Sequence, residues 1–337
     1  MLYIYQYPDW TKFRYQQKVT TLLGHVRMEQ GRLLGVASLA LNAADAETCF
    51  RSDLAASFAA ESLELTDGAL KVFMHASVNF SEEVSEERLC RWHAACVRGG
   101  GRFRTSESAE PGVEPERIAK ELSRFLKFFN DSEMDGVLKA AIAHFWFLTI
   151  RPFEKGNKVI AGLLTDIQLS RSEGESKRFY SLFAELLNNV EKYNDALLHA
   201  QQGNGEITEW LLWFIGKMQS AMANATAAFD VRISSARLSM TLGSVALSAR
   251  QLELVEILKG AGDLESFKNP DCPGNVEAFQ NNKLKNSGEV SSSEWAALAG
   301  ISHDSALRDL QDMVQKGVLE KASKGGRGTR YWLKMRD

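Results

Sequence analysis

The stretch AHFWFLTIRPFEKGNKVIAGLL, residues 143–164, decides the fold. Its first half closes a helix that begins near Leu138, with Leu138, Ala141, Ile142 and Phe145 at i, i+3, i+4, i+7 spacing. Trp146 and Phe147 widen that face until the helix is apolar almost all round, which places it at the centre of a bundle. It stops at Arg151-Pro152, because the residue before a proline is pushed out of the α region. The loop PFEKGN then leads into a second helix, where Ile160, Leu163, Leu164 and Ile167 repeat the spacing. Two buried helices joined by a Gly-Asn loop form a scaffold for a site.

Outward from this pair, residues 1–80 read as helices behind an aromatic lead of Tyr3, Tyr5, Tyr7, Trp10 and Phe13. Residues 97–115 are rich in Gly and Pro and predict a short hairpin or loop. Glu116 to Asn130 is amphipathic, with Ile118, Leu122, Phe125, Leu126 and Phe129 on one face. Residues 179–245 read as helical, including ITEWLLWFI, and residues 260–290 as a polar linker or insertion. No alternation of strand and helix appears, which argues against a parallel α/β fold.

From Ser291 the chain changes character. SSSEWAALAG is a short helix with a serine cap and a glycine stop. ISHDSALRDLQDMVQKG supplies a second helix with Leu307, Leu310, Met313 and Val314 inward, and VLEKASKGGRGTRYWL reads as two strands around a Gly-rich turn. That order predicts a winged helix-turn-helix. Lys316 to Arg336 holds seven basic residues against one acid, Glu320, so a basic patch sits here although the 337-residue chain carries a net charge of −3. Lys324, Arg327 and Arg330 are candidate phosphate contacts, and Ser305 and Arg308 candidate base contacts. Asp304, Asp309 and Asp312 on the same helix count against DNA, and winged helices also serve as protein-protein modules. His303 near the helix start is explained equally by DNA contact and by ordinary helix-terminal polarity.

Hydrophobic residues make up 45% and charged residues 25%, enough for a sizeable core, and no apolar run approaches a membrane span. The N-terminal sequence MLYIYQYPDW lacks the pattern of a secretory signal, so a cytoplasmic location is expected. Cys49, Cys90, Cys96 and Cys272 are scattered without ligand spacing and read as reduced structural thiols; no metal site is expected. His144 reads as a satisfied buried histidine, and Phe145, Trp146, Phe147, Trp210, Trp213 and Phe214 as core, not a base-stacking platform.

The central stretch resembles the signature of the Fic family, HPFx(D/E)GNGRxxR. YIYQYPDWTKFRY and QGRLLG resemble the N-terminal region of one bacterial Fic subfamily, and RFYSL, ITEWLLWFI and the C-terminal segment resemble its later parts. The resemblance implies a mainly α, Fic-type helical bundle with a small β-hairpin flap, followed by the winged helix. It divides the chain into an N-terminal helical region with an inhibitory helix at 1–82, a Fic core at 83–220, a helical connector and polar insertion at 221–290, and the winged helix at 291–337. The family typically transfers AMP from ATP to a protein hydroxyl. A histidine serves as base, an acid holds magnesium, the Gly-Asn-Gly turn cradles phosphates at a helix start, and two arginines bind phosphate.

Against that pattern, Arg151 stands at the histidine position, and a guanidinium cannot accept the hydroxyl proton. Lys155 occupies the metal position, where an ammonium repels magnesium. Lys158 replaces the last glycine of the phosphate turn, while Gly156 and Asn157 remain; Val159 and Gly162 replace the two arginines. Losing a general base costs ~10²–10⁴ in rate and losing a phosphate-stabilising arginine ~10³–10⁵. The expectation is a pseudoenzyme that needs no cofactor and acts by binding, as a DNA-associated regulator or a partner of an active homologue. The alternative is an altered nucleotidyl- or phosphotransferase, supported by the Gly156-Asn157 turn and by Arg151, Lys155 and Lys158, cations that could bind phosphates without metal. ATP and magnesium are implied if the family activity persists, and the Asn157-Lys158 pair is similar to the family's phosphorylating branch. Expected partners are DNA, a protein target, an active Fic homologue or a second copy of the chain, and no membrane.

Ser57 and Glu61 match the first and last positions of the family's inhibitory SxxxE(G/N) helix, with Ser62 where Gly or Asn would follow; two solvated helix residues are the plain alternative. If Glu61 points into the pocket, Lys155, Lys158 or Arg151 must be its partner. Arg102 and Arg104 correspond either to the family's target-docking flap or to an exposed basic loop.

Overall fold

A computed structural model describes residues 2–229, 247–259, 288–322 and 329–334. The chain divides into two compact units, Met1–Phe229 and Asp230–Asp337.

The first unit is built on an antiparallel helix pair, α6 (Gly136–Ile150) and α7 (Asn157–Glu173). Every residue of α6 is buried, and α7 is buried from Asn157 to Ser170. Asp135 caps α6 by accepting from the N–H groups of Val137 (2.9 Å) and Leu138 (3.1 Å). The one lysine in α6, Lys139, is tolerated because its Nζ donates to Ser132 O at 2.9 Å. Helices α1 (Gln17–Ala40), α2 (Ala43–Ala59), α3 (Asp67–Val78), α4 (Glu86–Cys96), α5 (Ile118–Asp131), α8 (Leu182–Leu186), α9 (Val190–Gln201) and α10 (Thr208–Ala228) surround this pair.

The amphipathic reading of α5 holds: Ile118, Leu122, Phe125 and Phe129 are buried, and Leu126 is half-buried. The aromatic lead packs inward beside them, with Trp10 edge-on to Trp146 and its Nε1 donating to Glu121 at 3.2 Å. His144 is fully buried and satisfied. Thr165 donates to Ala161 O, so it accepts from the His144 Nδ1–H (3.1 Å), which leaves Nε2 to accept from Tyr193 (2.7 Å). Burial pushes this imidazole down to about 3.

Residues 97–114 contain no paired strand, so the expected flap hairpin is instead an irregular loop. Its backbone partners are side chains and the loop after α6, not a second strand. No helix among the described residues is long and apolar enough to cross a membrane.

The second unit contains α11 (Ala249–Lys259), β1 (Glu289–Ser291), α12 (Ser292–Ala299), α13 (His303–Gln315), β2 (Leu319–Lys321) and β3 (Arg330–Leu333). The strands form an antiparallel sheet in the order β1-β3-β2. Ser291 and Glu294 make a reciprocal capping box at α12, and Gly300 ends it at φ 62°. Leu254 and Val255 of α11 share one core with Trp295, Leu310, Met313, Val318 and Tyr331. Helix α11 thus packs into the core of this unit, within the stretch 221–290 that the sequence reads as a helical connector and polar insertion. Most of the polar stretch 260–290, with Cys272, lies outside the described residues.

Candidate functional site

The site lies in the turn between α6 and α7. Arg151 ends α6 in the left-handed conformation, φ 50° and ψ 66°, which costs a non-glycine residue roughly 1–3 kcal/mol. Its surroundings hold it there. The Arg151 carbonyl accepts from Arg104 Nε at 2.7 Å, and its buried guanidinium donates to Pro111 O at 3.2 Å and pairs with Glu110. Arg104 is buried too: its other guanidinium nitrogens donate to Ser106 O and Val113 O, and its N–H donates to Pro152 O at 2.9 Å. A Cβ at Gly112 would meet both arginines at 3.1 Å, a tight contact that glycine avoids where the loop passes between them. Arg104 is therefore neither a free docking residue nor an exposed basic one; Arg102 is exposed.

Asn157 closes the PFEKGN turn on itself, donating to Phe153 O at 2.8 Å and accepting from Phe153 N–H at 3.1 Å. Phe153 is fully buried and stacks on His93 with centroids 3.9 Å apart. His93, which carried no motif in sequence, accepts from Gly101 N–H at Nδ1 (2.8 Å), so its Nε2 carries the proton and donates to Lys155 O (3.0 Å). Burial lowers its pKa, favouring the neutral ring that accepts at Nδ1. The ring thereby ties the loop of 97–101 to the turn.

Gly156 sits at φ 80°, and a Cβ there would press on Val97 and His93. Helix α7 starts with no side-chain cap of its own. Glu61 fills that role: its carboxylate accepts from Gly156 N–H at 3.1 Å and from Lys158 N–H at 2.7 Å. Backbone donors at a helix start favour an anion, and here the anion is a side chain of the same chain. Glu61 thus points into the site, but none of the three expected side-chain partners meets it. Among the described residues no cation pairs with it: Lys155 is exposed, the Lys158 ammonium lies 6.0 Å from the Tyr193 ring, and Arg151 turns to Glu110.

Two neighbours explain how Glu61 reaches the turn. Ser62 adopts φ 53°, the left-handed backbone that Gly or Asn takes with least strain, which is the physical demand behind that position of the motif. Ser57 is buried, and its Oγ would lie 3.2 Å from a Cβ at Gly162. A small residue at 162, where the family has its second arginine, lets α2 pack directly on α7. Asp53 and the Cys49 carbonyl fasten α2 further, accepting from Ala184 N–H (2.9 Å) and Ser181 Oγ (3.1 Å).

No group of three or more His, Cys, Asp or Glu side chains among the described residues could hold a metal ion. Cys49, Cys90 and Cys96 are free thiols, and burial pushes Cys96 up to about 12.

In the second unit, Arg308 is exposed on α13, while Ser305 is half-buried with its hydroxyl 2.9 Å from Ser302. Arg330 pairs with Glu294 at 2.6 Å, and Lys324 and Arg327 lie outside the described residues. His303 Nε2 lies 2.9 Å from Ser292 Oγ, a contact that joins α13 to α12.

Comparison with known proteins matches residues 83–169 to the Fic/DOC family and residues 3–62 to a domain of unknown function, DUF4172. No curated protein sequence matches the chain. Among solved structures, a Fic family protein from Desulfovibrio desulfuricans is 16% identical, with 97% of this chain and 98% of that one covered at a TM-score of 0.54. A Fic domain containing signaling protein from Bacteroides thetaiotaomicron is 13% identical over 63% of this chain and 96% of its own, at a TM-score of 0.46. The likeness to the Desulfovibrio protein is one of fold, and it runs the length of both chains. The matched segment runs from just before α4 into α7, across the turn described above, so residues 83–169 are what this chain shares with the Fic/DOC family.

Proposed function

We propose that this chain is a catalytically degenerate Fic protein that acts by binding, with a phosphate turn sealed by its own Glu61 and a C-terminal unit that contacts DNA. The observation that carries this reading is the pairing of Glu61 with the Gly156 and Lys158 N–H groups, while Arg151 at the family's histidine position is spent on the 104–114 loop. Adenylyl transfer needs a group that removes the hydroxyl proton. The Arg151 guanidinium offers only N–H donors, and His93, the neutral imidazole beside the turn, has both nitrogens engaged with backbone.

The altered-transferase alternative relied on Arg151, Lys155 and Lys158 gathering around a phosphate. Their side chains diverge instead, toward the 104–114 loop, solvent and Tyr193. Neither ATP nor magnesium is assigned a role, and the protein partner on this reading is a target or an active homologue held without modification.

Labelled ATP with magnesium, purified protein and a cell lysate tests the proposal. No labelled protein is expected. Labelling that disappears in Gly156→Ala would overturn it. Calorimetry adds a second readout: no heat of ATP binding is expected for the wild type.

A further inference from the structure

Read as sequence, α13 is a poor DNA helix, because Asp304, Asp309 and Asp312 bring three negative charges to a polyanion. The folded unit removes two of them. Asp309 is only 9% exposed, and both its oxygens lie 3.3 Å from the guanidinium of Arg250 on α11. Asp312 is held at 2.7 Å by Gln251 Nε2 and at 2.6 Å by Lys316. Gln251 is buried and reaches Asp309 O as well, so α11 secures both positions at once.

What α13 leaves exposed is different in kind. Asp304, Arg308, Gln311 and Gln315 are all exposed, and their i, i+4, i+7, i+11 spacing sets them in one stripe. Eleven residues rise about 16 Å along a helix, the length of roughly five base pairs. Guanidinium and carboxamide groups are those that make paired hydrogen bonds to guanine and adenine in the major groove, and a carboxylate accepts from cytosine N4. Gln311 and Gln315 have no hydrogen-bond partner among the described residues, so an amide edge is free on each.

We infer that this stripe reads base edges in the major groove of duplex DNA, and that α11 fits α13 for the task by neutralising Asp309 through Arg250 and holding Asp312 through Gln251. Arg250 and Gln251 are then positioning residues, acting through Asp309 and Asp312. The inference rests on the DNA contact proposed above and adds to it which side chains choose the sequence.

The test uses the full chain and a pool of randomised 30-base-pair duplexes, with selection at low salt followed by sequencing. A shifted complex and an enriched motif are expected. Gln311→Ala and Gln315→Ala should each relax the motif at one position, and Arg308→Ala should weaken the selected duplex ~5- to 150-fold while binding to the unselected pool stays. Arg250→Ala should weaken all duplexes alike with the motif unchanged, and Arg250→Lys should restore most of the loss; melting curves confirm that each variant is folded. A complex without enrichment, or a motif unchanged in both glutamine variants, overturns the inference and leaves the DNA contact standing. No complex with any duplex overturns both.

Discussion

At the residue scale, Arg151 and Arg104 show how one position changes the role of its neighbours. The Arg151 guanidinium binds the 104–114 loop, and Arg104 returns the favour through the Arg151, Ser106 and Val113 carbonyls. Arg151→Ala is expected to destabilise the protein by about 1.5–3 kcal/mol, the range for a hydrogen bond from a charged group. It should also speed endoproteinase Glu-C cleavage after Glu107. Arg104→Lys should cost more, since an ammonium cannot span three carbonyls set around a planar fork. Equal cleavage rates in wild type and Arg151→Ala would show that the loop is held by other means. Ser62 offers the opposite sign: Ser62→Gly or Ser62→Asn relieves the left-handed strain and should raise stability by roughly 0.5–1 kcal/mol, read as an upward shift in melting temperature.

At the scale of elements, α2 and α7 form one device. Helix α7 begins without a cap on its own chain segment, and a carboxylate nearly a hundred residues earlier supplies it. Glu61→Ala should therefore behave like the loss of an N-cap, costing about 1–2 kcal/mol, with hydrogen exchange rising at the Gly156 and Lys158 amides. Gly162→Arg should cost far more than a surface substitution, because Ser57 and Phe183 occupy the space a side chain would enter. Its expected signature is loss of protection along α2 as well as a lower melting temperature. Protection unchanged in α2 would mean that the arginine finds another path.

At the scale of the whole molecule, a half-buried carboxyl and a buried imidazole give stability a pH dependence of opposing signs. Asp53 is pushed up to about 7, chiefly by burial, with the Ala184 N–H and Arg178 working against the shift and Asp166 adding to it. A carboxyl raised in this way holds its proton more tightly when folded, so its contribution is full below about pH 4 and is lost as pH rises through 7. His144, pushed down to about 3, does the reverse: its contribution is full above pH 6.5 and is lost as pH falls. The two slopes offset each other between pH 4 and 6.5. Asp53→Asn keeps the acceptor for Ala184 and removes one slope. Its stability should therefore rise steadily over that window in chemical denaturation, where the wild type changes little, and the variant should be the more stable of the two at pH 8. Parallel curves for the two proteins would count against the assignment to Asp53.

Periodicity alone was sufficient for the central pair, for α5 and for the two helices with capping serines, because a helix that buries one face or all of itself must write that face at intervals of three and four residues. The substitutions at 151, 155, 158 and 162 were equally plain, since the chemistry of a guanidinium or an ammonium does not depend on the fold. Tertiary structure decided where those side chains went. Charge in the sequence suggested that Glu61 would seek a lysine or Arg151, yet backbone N–H groups at a helix start took it, and such groups have no letter in a sequence. His93 was invisible for a similar reason: its partners are the N–H of Gly101 and the carbonyl of Lys155. On α13 the letters counted three acids, and only packing against α11 determined that Asp309 and Asp312 are held by side chains while Asp304 stays exposed.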